Sequence, residues 1–186
     1  MEIIKTAIEG VWIIEPRVFA DARGYFFESF NAREFAEKTG LDIDFVQDNE
    51  SLSRYGTLRG LHFQRAPYAQ AKLVRCVRGR VWDVAVDIRP GSPTYGKWVG
   101  CELTGENHRQ LLIPKGMAHG FCVLSDEAVF QYKCDAFYHP EAEGAIAWDD
   151  PDIGIPWPVP SEAVILSEKD KRHPRLREIG EQIERT

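Results

Sequence analysis

The sequence contains no apolar run long enough to cross a membrane, because a spanning helix needs about 20 consecutive apolar residues. The amino-terminal segment carries Glu2, Lys5 and Glu9, where a secretory signal would have an apolar core. We therefore expect a cytoplasmic protein that does not associate with a membrane.

Cysteine is also scarce, with four residues in 186. Cys76, Cys101, Cys122 and Cys134 are widely spaced and form no Cys-x-x-Cys motif. This spacing argues against a zinc knuckle and against a dense disulfide framework. We expect the four thiols to be reduced and to serve mainly in packing.

Positive charge is in the minority, since 23 lysine and arginine residues face 29 aspartate and glutamate residues, for a formal net charge of −6. A general nucleic-acid binder has the opposite balance, so we expect no nucleic-acid partner. A hydrophobic content of 44% in 186 residues is enough to bury a core. Because the chain has no repeat or Gly/Ser linker, we predict a single domain over residues 1–186.

The middle of the chain alternates apolar and polar residues in short runs separated by glycine, which is typical of half-buried strands. Helical signals are confined to two places: Asn31 as N-cap with Gly40 past the end, and a short helix after Pro174 that carries Leu176 and Ile179. The proline-rich segment of about 148–160 is predicted to be irregular. Strands are predicted over residues 25–30, 57–64, 72–77, 81–88, 97–103, 110–113, 120–124 and 128–134.

This pattern favours an all-β fold, namely a jelly-roll β-sandwich or barrel of the cupin type with a few short peripheral helices. Within it, Arg78-Gly79-Arg80 predicts a tight hairpin, since glycine reaches positive φ at no steric cost. The strands before and after Gly79 are therefore predicted to be neighbours in one sheet.

Several polar residues alternate with apolar ones on predicted inward faces. Lys72 shares a strand face with Val74 and Cys76, and Asp83 shares one with Val81 and Ala85. The alternative is that both faces are solvated.

Two further segments carry such residues. Tyr132 alternates with Phe130 and Cys134, where an ordinary core tyrosine is the alternative. Arg59 and His62 have opposite parity in an ideal strand, so they can face one cavity only if Gly60 forms a bend or bulge.

The segment from Pro114 to Phe121 contains the Pro-x-Gly-x-x-His spacing of cupins and would deliver His119 into a barrel. A metal-binding cupin also needs a His-x-His pair and a glutamate, because three or four ligands must converge on the ion. His62 is followed by Phe63 and Gln64, so that pair is missing. We therefore predict a cavity lined by His, Lys, Tyr and Asp with no metal.

A series of motifs across most of the chain resembles the dTDP-4-dehydrorhamnose 3,5-epimerase family. The matching segments are DARGYFFE at 21–28, QDNES at 47–51, RGLHFQ at 59–64, Lys72, PKGMAHGF at 114–121, Tyr132 and LSEKD at 166–170. The resemblance implies a homodimeric cupin that needs neither metal nor cofactor. It further implies inversion of carbons 3 and 5 of dTDP-4-dehydro-6-deoxy-D-glucose through an enolate.

The resemblance also implies roles for individual residues. His62 would be the base, Tyr132 the acid on the other face of the sugar, Asp170 the carboxylate that pairs with the histidine, and Lys72 the group near the enolate oxygen. Residues implied in substrate binding are Arg23, Phe26, Glu28, Gln47, Asp48, Asn49, Arg59, Asp83, His119, Tyr138, Glu143 and Lys169. Part of this set, from Arg23 to Glu28, would come from the other subunit.

Two alternatives stay open at this point. A related enzyme that epimerises carbon 5 or carbon 3 alone, or that isomerises the keto group, would present a similar base, lysine and tyrosine, and Tyr138 could influence that choice. A nucleotide-sugar binding module without catalysis would need the cavity and Arg59, but neither Tyr132 nor the pair of His62 and Asp170.

Overall fold

The structure, a computed structural model, describes residues 1–183, and its regular secondary structure is mostly strand. The helices are α1 (Ala32–Thr39) and α2 (Leu176–Ile183), with short 3₁₀ turns at Pro140–Ala142, Ser161–Ala163 and Asp170–Arg172. The strands are β1 (Glu2–Lys5), β2 (Trp12–Glu15), β3 (Phe19–Asp21), β4 (Gly24–Phe26), β5 (Gln47–Arg54), β6 (Leu58–Gln64), β7 (Lys72–Arg78), β8 (Arg80–Asp87), β9 (Trp98–Thr104), β10 (Gln110–Ile113), β11 (Met117–Val123), β12 (Glu127–Cys134) and β13 (Glu143–Ala145).

In the described residues, the strands form two large antiparallel sheets and one small hairpin. The first sheet has the order β1-β2-β10-β7-β12-β5, and the second has the order β13-β6-β11-β8-β9. Inward residues from both sheets, such as Val74, Phe130, Ala85 and Phe121, form a shared buried core. The predicted all-β sandwich with short peripheral helices is therefore confirmed.

The outer face of each sheet is covered by non-strand segments. Helix α1 packs Phe35 against Leu73 and Leu112 of the first sheet. On the second sheet, α2 buries Leu176 and Ile179 in the apolar cluster that covers its outer face. The segment 148–160 contains neither strand nor helix.

The boundaries of α1 follow the capping signals in the sequence. The Asn31 side chain accepts a hydrogen bond from the Glu34 amide at 3.1 Å, and Gly40 ends the helix at φ 71°. None of the helices in the described residues is long and apolar enough to span a bilayer. The predicted single domain stays a prediction, and residues 184–186 of its tail lie outside the described residues.

The predicted hairpin at Gly79 is wrong, because β7 and β8 belong to different sheets. Gly79 does adopt positive φ, at 81°, but the chain crosses there from one sheet to the other. An added Cβ would lie 2.2 Å from the Glu127 carbonyl oxygen, so the crossing is closely packed. Turn chemistry predicted the bend correctly but could not predict which strands pair across it.

Candidate active site

A cavity lies between the two sheets and adjoins the core, whose Phe121 and Phe130 form part of its lining. It comprises two adjoining spaces of about 310 and 290 Å³. Both spaces are lined by Asn49, His62, Lys72 and Tyr132. These residues come from β5, β6, β7 and β12, so the cavity has walls from both sheets.

A bulge in β6 brings Arg59 and His62 into the same cavity. His62 is paired with His119 of β11, but Arg59 is paired with Phe121, so β6 has one extra residue in this interval. Gly60 lies in that interval with φ of 146°, and an added Cβ would be 2.6 Å from the Gly120 Cα atom. The predicted bulge is therefore present, and the glycine is required for its close approach to β11.

Lys72 faces the interior with Val74 and Cys76, which belong to the core. The alternative of a solvated face is therefore wrong for this strand. Its ammonium nitrogen lies 5.9 Å from the centre of the Tyr132 ring. Burial lowers the pKa of Lys72, and the nearby Cys134, Asp83 and Glu143 act in the opposite direction.

Asp83 on β8 is fully buried, and its carboxylate is hydrogen-bonded to the ring of His119 on β11. The His119 Nε2 atom lies 2.9 Å from Asp83 Oδ2 and 3.1 Å from Oδ1. Burial lowers the pKa of His119, and the Asp83 carboxylate opposes that shift. His119 lines the cavity together with Phe121, and Asp83 lies behind it as its hydrogen-bond partner.

His62 is held by a carboxylate from the C-terminal segment. Its Nε2 atom lies 2.6 Å from Asp170 Oδ1, and Ser167 Oγ donates to Asp170 Oδ2 at 2.8 Å. Burial alone would raise the pKa of Asp170, but hydrogen bonds from His62, Ser167 and His173 outweigh it and hold the pKa at about 2. An ionised carboxylate only accepts, so Nε2 of His62 carries a proton and Nδ1 is the atom free to accept one.

His173 also contacts this carboxylate, with Nε2 at 2.9 Å from Asp170 Oδ1. The potential metal-ligating atoms of His62, Asp170 and His173 lie within 4.8 Å of one another. Zinc ligands of this kind sit about 3.3 Å apart around the ion. Here both nitrogens lie at hydrogen-bond distance from one oxygen, so we interpret the group as a hydrogen-bond network.

Tyr132 lies on the wall opposite His62, because β12 is in the first sheet and β6 in the second. Its ring packs beside Phe130 at a centroid distance of 6.2 Å. Burial and the nearby Cys134 raise the pKa of Tyr132, and Arg59 opposes the shift. Among the described residues, no side chain or carbonyl forms a hydrogen bond with its hydroxyl group, which is therefore available to a ligand.

Other predicted residues form a polar network at the edge of the cavity. Glu143 accepts hydrogen bonds from Tyr138 Oη at 2.8 Å and Lys169 Nζ at 2.5 Å. Burial would raise the pKa of Glu143, but these two donors outweigh it and lower the pKa. On β5, Gln47 Nε2 donates to Asn49 Oδ1 at 3.0 Å.

Four predicted site residues do not reach this cavity. Asp48 points to the opposite face of β5 from Gln47 and Asn49 and pairs with Lys133 at 2.9 Å, so its side chain does not line the cavity. Arg23 and Phe26 lie on the exposed β3–β4 hairpin, with Arg23 paired to Asp21. Glu28 follows the hairpin and accepts from Asn31 at 3.2 Å.

Sequence reasoning also missed several residues of the site. These are Ser51, Ser53, Gln64, Gln70, Cys134 and His173. Ser53 accepts a hydrogen bond from Arg59 Nε at 3.1 Å. Parity with Asn49 along β5 could have identified the two serines, had that strand been predicted.

Comparison with known proteins gives a consistent result. A sequence model of the family described as dTDP-4-dehydrorhamnose 3,5-epimerase matches residues 5–178. The dTDP-4-dehydrorhamnose 3,5-epimerase of Shigella flexneri is 59% identical over 170 residues, which are 91% of this chain and 93% of that protein.

Solved structures agree with these sequence matches. The dTDP-6-deoxy-D-glucose-3,5-epimerase of Legionella pneumophila, in complex with dTDP-4-keto-L-rhamnose, has a TM-score of 0.94 at 51% identity, covering 98% of this chain and 96% of that one. A 3'-monoepimerase of Streptomyces bikiniensis, in complex with dTDP-quinovose, has a TM-score of 0.90 at 36% identity, covering 96% and 90%. The chain therefore belongs to the dTDP-4-dehydrorhamnose 3,5-epimerase family.

Proposed function

We propose that this protein converts dTDP-4-dehydro-6-deoxy-D-glucose to dTDP-4-dehydro-L-rhamnose by inverting carbons 3 and 5. One observation carries the proposal: His62 and Tyr132 come from opposing sheets and line the same cavity. Inversion needs a base on one face of the sugar and a proton donor on the other, since a single group tends to return the proton to the face it left.

The proposed reaction uses one ketone for both inversions. The 4-keto group acidifies the hydrogens on carbons 3 and 5, and Nδ1 of His62 takes one of them as a proton. The C–H electron pair becomes the enolate, and the Asp170 carboxylate stabilises the resulting imidazolium. Tyr132 then gives its hydroxyl proton to the carbon from the opposite face. The His62 imidazolium loses its proton to water and the Tyr132 phenolate regains one from water, which prepares both groups for the second carbon, so no oxidant or reductant is needed.

Lys72 is proposed to stabilise the enolate oxygen. A preorganised cation in a water-poor site can lower such a barrier by several kcal/mol. Arg59, which lines the same cavity, is suited to a diphosphate because its guanidinium group is a planar, forked donor. Gln47, Asn49, His119, Tyr138, Glu143 and Lys169 are proposed to bind the sugar or the nucleotide from the cavity and its edge.

We propose further that the protein works as a homodimer, in which the β3–β4 hairpin completes the site of the partner. The Arg23 side chain is 90% exposed and Phe26 is 66% exposed. An exposed aromatic beside an exposed arginine suits a thymine base and a phosphate group. Glu28, at the base of the hairpin, would belong to the same shared region.

The four cysteines are free and buried, which supports the proposed cytoplasmic location. The proposed chemistry needs no metal and no cofactor, because the substrate ketone itself stabilises the carbanion. Activity should therefore persist after treatment with EDTA and dialysis. Loss of activity on chelation, with recovery on adding a divalent metal, would contradict this part of the proposal.

The main experiment is incubation with dTDP-4-dehydro-6-deoxy-D-glucose in heavy water, followed by proton NMR and mass spectrometry of the product. Deuterium at both carbons is the expected result. His62→Ala should abolish exchange at both positions, because it removes the base. Absence of any exchange by the wild-type protein would overturn the proposal and favour a binding module.

A second candidate is an enzyme that inverts one carbon only. The similarity to the Streptomyces bikiniensis 3'-monoepimerase favours it, since the same fold there carries a narrower reaction. Label at carbon 3 alone, or at carbon 5 alone, would establish this narrower activity.

A further inference from the structure

A second histidine shares the carboxylate oxygen that holds His62. His173 Nε2 lies 2.9 Å from Asp170 Oδ1, and His62 Nε2 lies 2.6 Å from the same atom. The two rings meet edge to face with centroids 5.6 Å apart. The Asp170 side chain is 5% exposed and that of His173 is 9% exposed, so these two groups interact away from bulk water, whereas the His62 side chain is 33% exposed toward the cavity.

The segment that carries His173 is fixed on both sides. Asp170–Arg172 forms a 3₁₀ turn, which sets the spacing between Asp170 and His173. After His173, the Pro174 carbonyl accepts a hydrogen bond from the Ala147 amide at 2.8 Å, and the Leu176 amide donates to Asp150 at 2.6 Å. The His173 ring is therefore held in place by backbone contacts that do not involve the cavity.

We infer that His173 is a positioning residue for the proposed reaction, which holds Asp170 against His62 and limits how strongly that carboxylate attracts a proton to His62. This inference rests on the proposed function of His62 as the base. Two donors on Oδ1 divide its negative charge, so the imidazolium form of His62 gains less stabilisation than it would from an unshared oxygen.

Other charged groups also surround His62 and act on it equally in wild type and variant. They are Arg59 on β6, Glu143 on β13, His119 with Asp83 on β11 and β8, Lys72 on β7, the titratable Tyr132 on β12 and Lys169 beside Asp170. Removal of the His173 donor changes none of them. A difference in titration between wild type and a His173 variant therefore reports on the shared oxygen.

The test compares His173→Leu, which removes the donor, with His173→Gln, whose amide nitrogen can replace it. In His173→Leu, the acidic limb of the kcat/KM profile should move upward by about half a pH unit. The value of kcat should fall by about tenfold with little change in KM. His173→Gln should restore both toward wild type.

Two controls separate this role from a purely structural one. Arg172→Leu changes an exposed side chain of the same 3₁₀ turn. The Arg172 guanidinium lies 3.8 Å from the Glu168 carboxylate, so its loss should leave the pH profile of kcat/KM unchanged. An NMR titration of the His62 ring measures the same shift without substrate. If His173→Leu lowers only the melting temperature and leaves both titrations unmoved, the inference is wrong, whether or not the wild type is an epimerase.

Discussion

At the scale of single residues, inversion depends on His62 and Tyr132 lying on opposite walls of the cavity. Tyr132 is half-buried opposite His62, and burial raises the pKa of its hydroxyl, so the phenol stays protonated near neutral pH. A protonated phenol can donate to a carbanion, and it is a weak base that does not compete with His62 for the first proton.

Tyr132→Phe should therefore slow product formation by roughly 100-fold, because the donor on the far face is lost. The rate at which His62 removes the substrate hydrogens should fall much less. Deuterium wash-in and product can be followed together by NMR in heavy water. Tyr55→Phe, an exposed tyrosine outside the cavity, is the control. Normal product formation by the Tyr132 variant would rule out its role as the acid.

The sequence predicted the central residues of the site more fully than their surroundings. Strand parity indicated that Lys72 and Tyr132 face the core, and the structure brings both to one cavity with His62. Parity can assign the Asp48 side chain to the outer face of β5 only if that polar segment is recognised as a strand. The contact of His173 with Asp170 depends on a 3₁₀ turn, and the alternation of apolar and polar residues does not predict such a turn. The sequence therefore does not indicate His173.

At the scale of elements, the bulge in β6 is the feature on which the cavity depends. Gly60→Ala should cost about 2 kcal/mol or more in stability and reduce activity strongly, because φ of 146° is unfavourable for alanine and the added Cβ would meet Gly120.

Gly180→Ala is the matched control for this change. Gly180 lies in α2, and a Cβ added there would meet no atom within 4 Å. Alanine at this position should therefore be neutral or stabilising by up to about 1 kcal/mol. Denaturant unfolding and turnover measure both variants. Equal stability and activity of the two variants would show that the bulge does not need glycine.

The turn after β8 depends on another buried carboxylate. Asp87 is fully buried and accepts hydrogen bonds from Arg89 at 2.7 Å and from Ser92 and Thr94 at 2.6 Å. Burial would raise the pKa of Asp87, but these donors outweigh it and hold the pKa at about 2, below the ordinary 3.8. The carboxylate therefore contributes stability above pH 4 that is lost as the pH falls toward 2.

Asp87→Asn should accordingly be less stable than wild type by about 2 kcal/mol at pH 6, and this difference should shrink as the pH approaches 2. Urea unfolding at a series of pH values measures the difference. Asp126→Asn, at an exposed position, should show no such trend. A deficit for Asp87→Asn that is constant down to pH 2 would contradict the assigned role.

Elements with strong apolar alternation were predicted well, and polar ones were not. β7, β10 and β12 lie within one or two residues of their predicted bounds. β5 reads QDNESLSR and was not predicted, because its inward residues face a polar cavity rather than the apolar core. The pairing of β7 and β8 failed for another reason, since local turn chemistry does not specify which sheet a strand joins.

At the scale of the whole molecule, the proposal that the β3–β4 hairpin completes the partner's site predicts how a mixture of two inactive variants behaves. Arg23→Ala and His62→Ala should each be nearly inactive alone. If each site combines Arg23 of one chain with His62 of the other, a mixed dimer of the two variants has one intact site. Denaturing and refolding an equal mixture should then restore about a quarter of wild-type activity, since half of the dimers are mixed.

Activity of the refolded mixture is measured against each variant refolded alone. Analytical ultracentrifugation of the wild type establishes whether a dimer forms. A mixture no more active than its two components, from a protein that is dimeric, would mean that Arg23 serves its own chain.

Within the described residues, β5 ends the first sheet and is hydrogen-bonded on one side, to β12. Its free side is an unpaired edge, which another extended chain could use for cross-molecule strand addition and aggregation. The side chains of Glu50 and of Asp48, which is paired with Lys133, alternate with the inward polar residues along it, so an added strand would have to displace water from charged groups. We therefore expect the polar composition that makes β5 hard to recognise in the sequence to disfavour polymerisation along that edge.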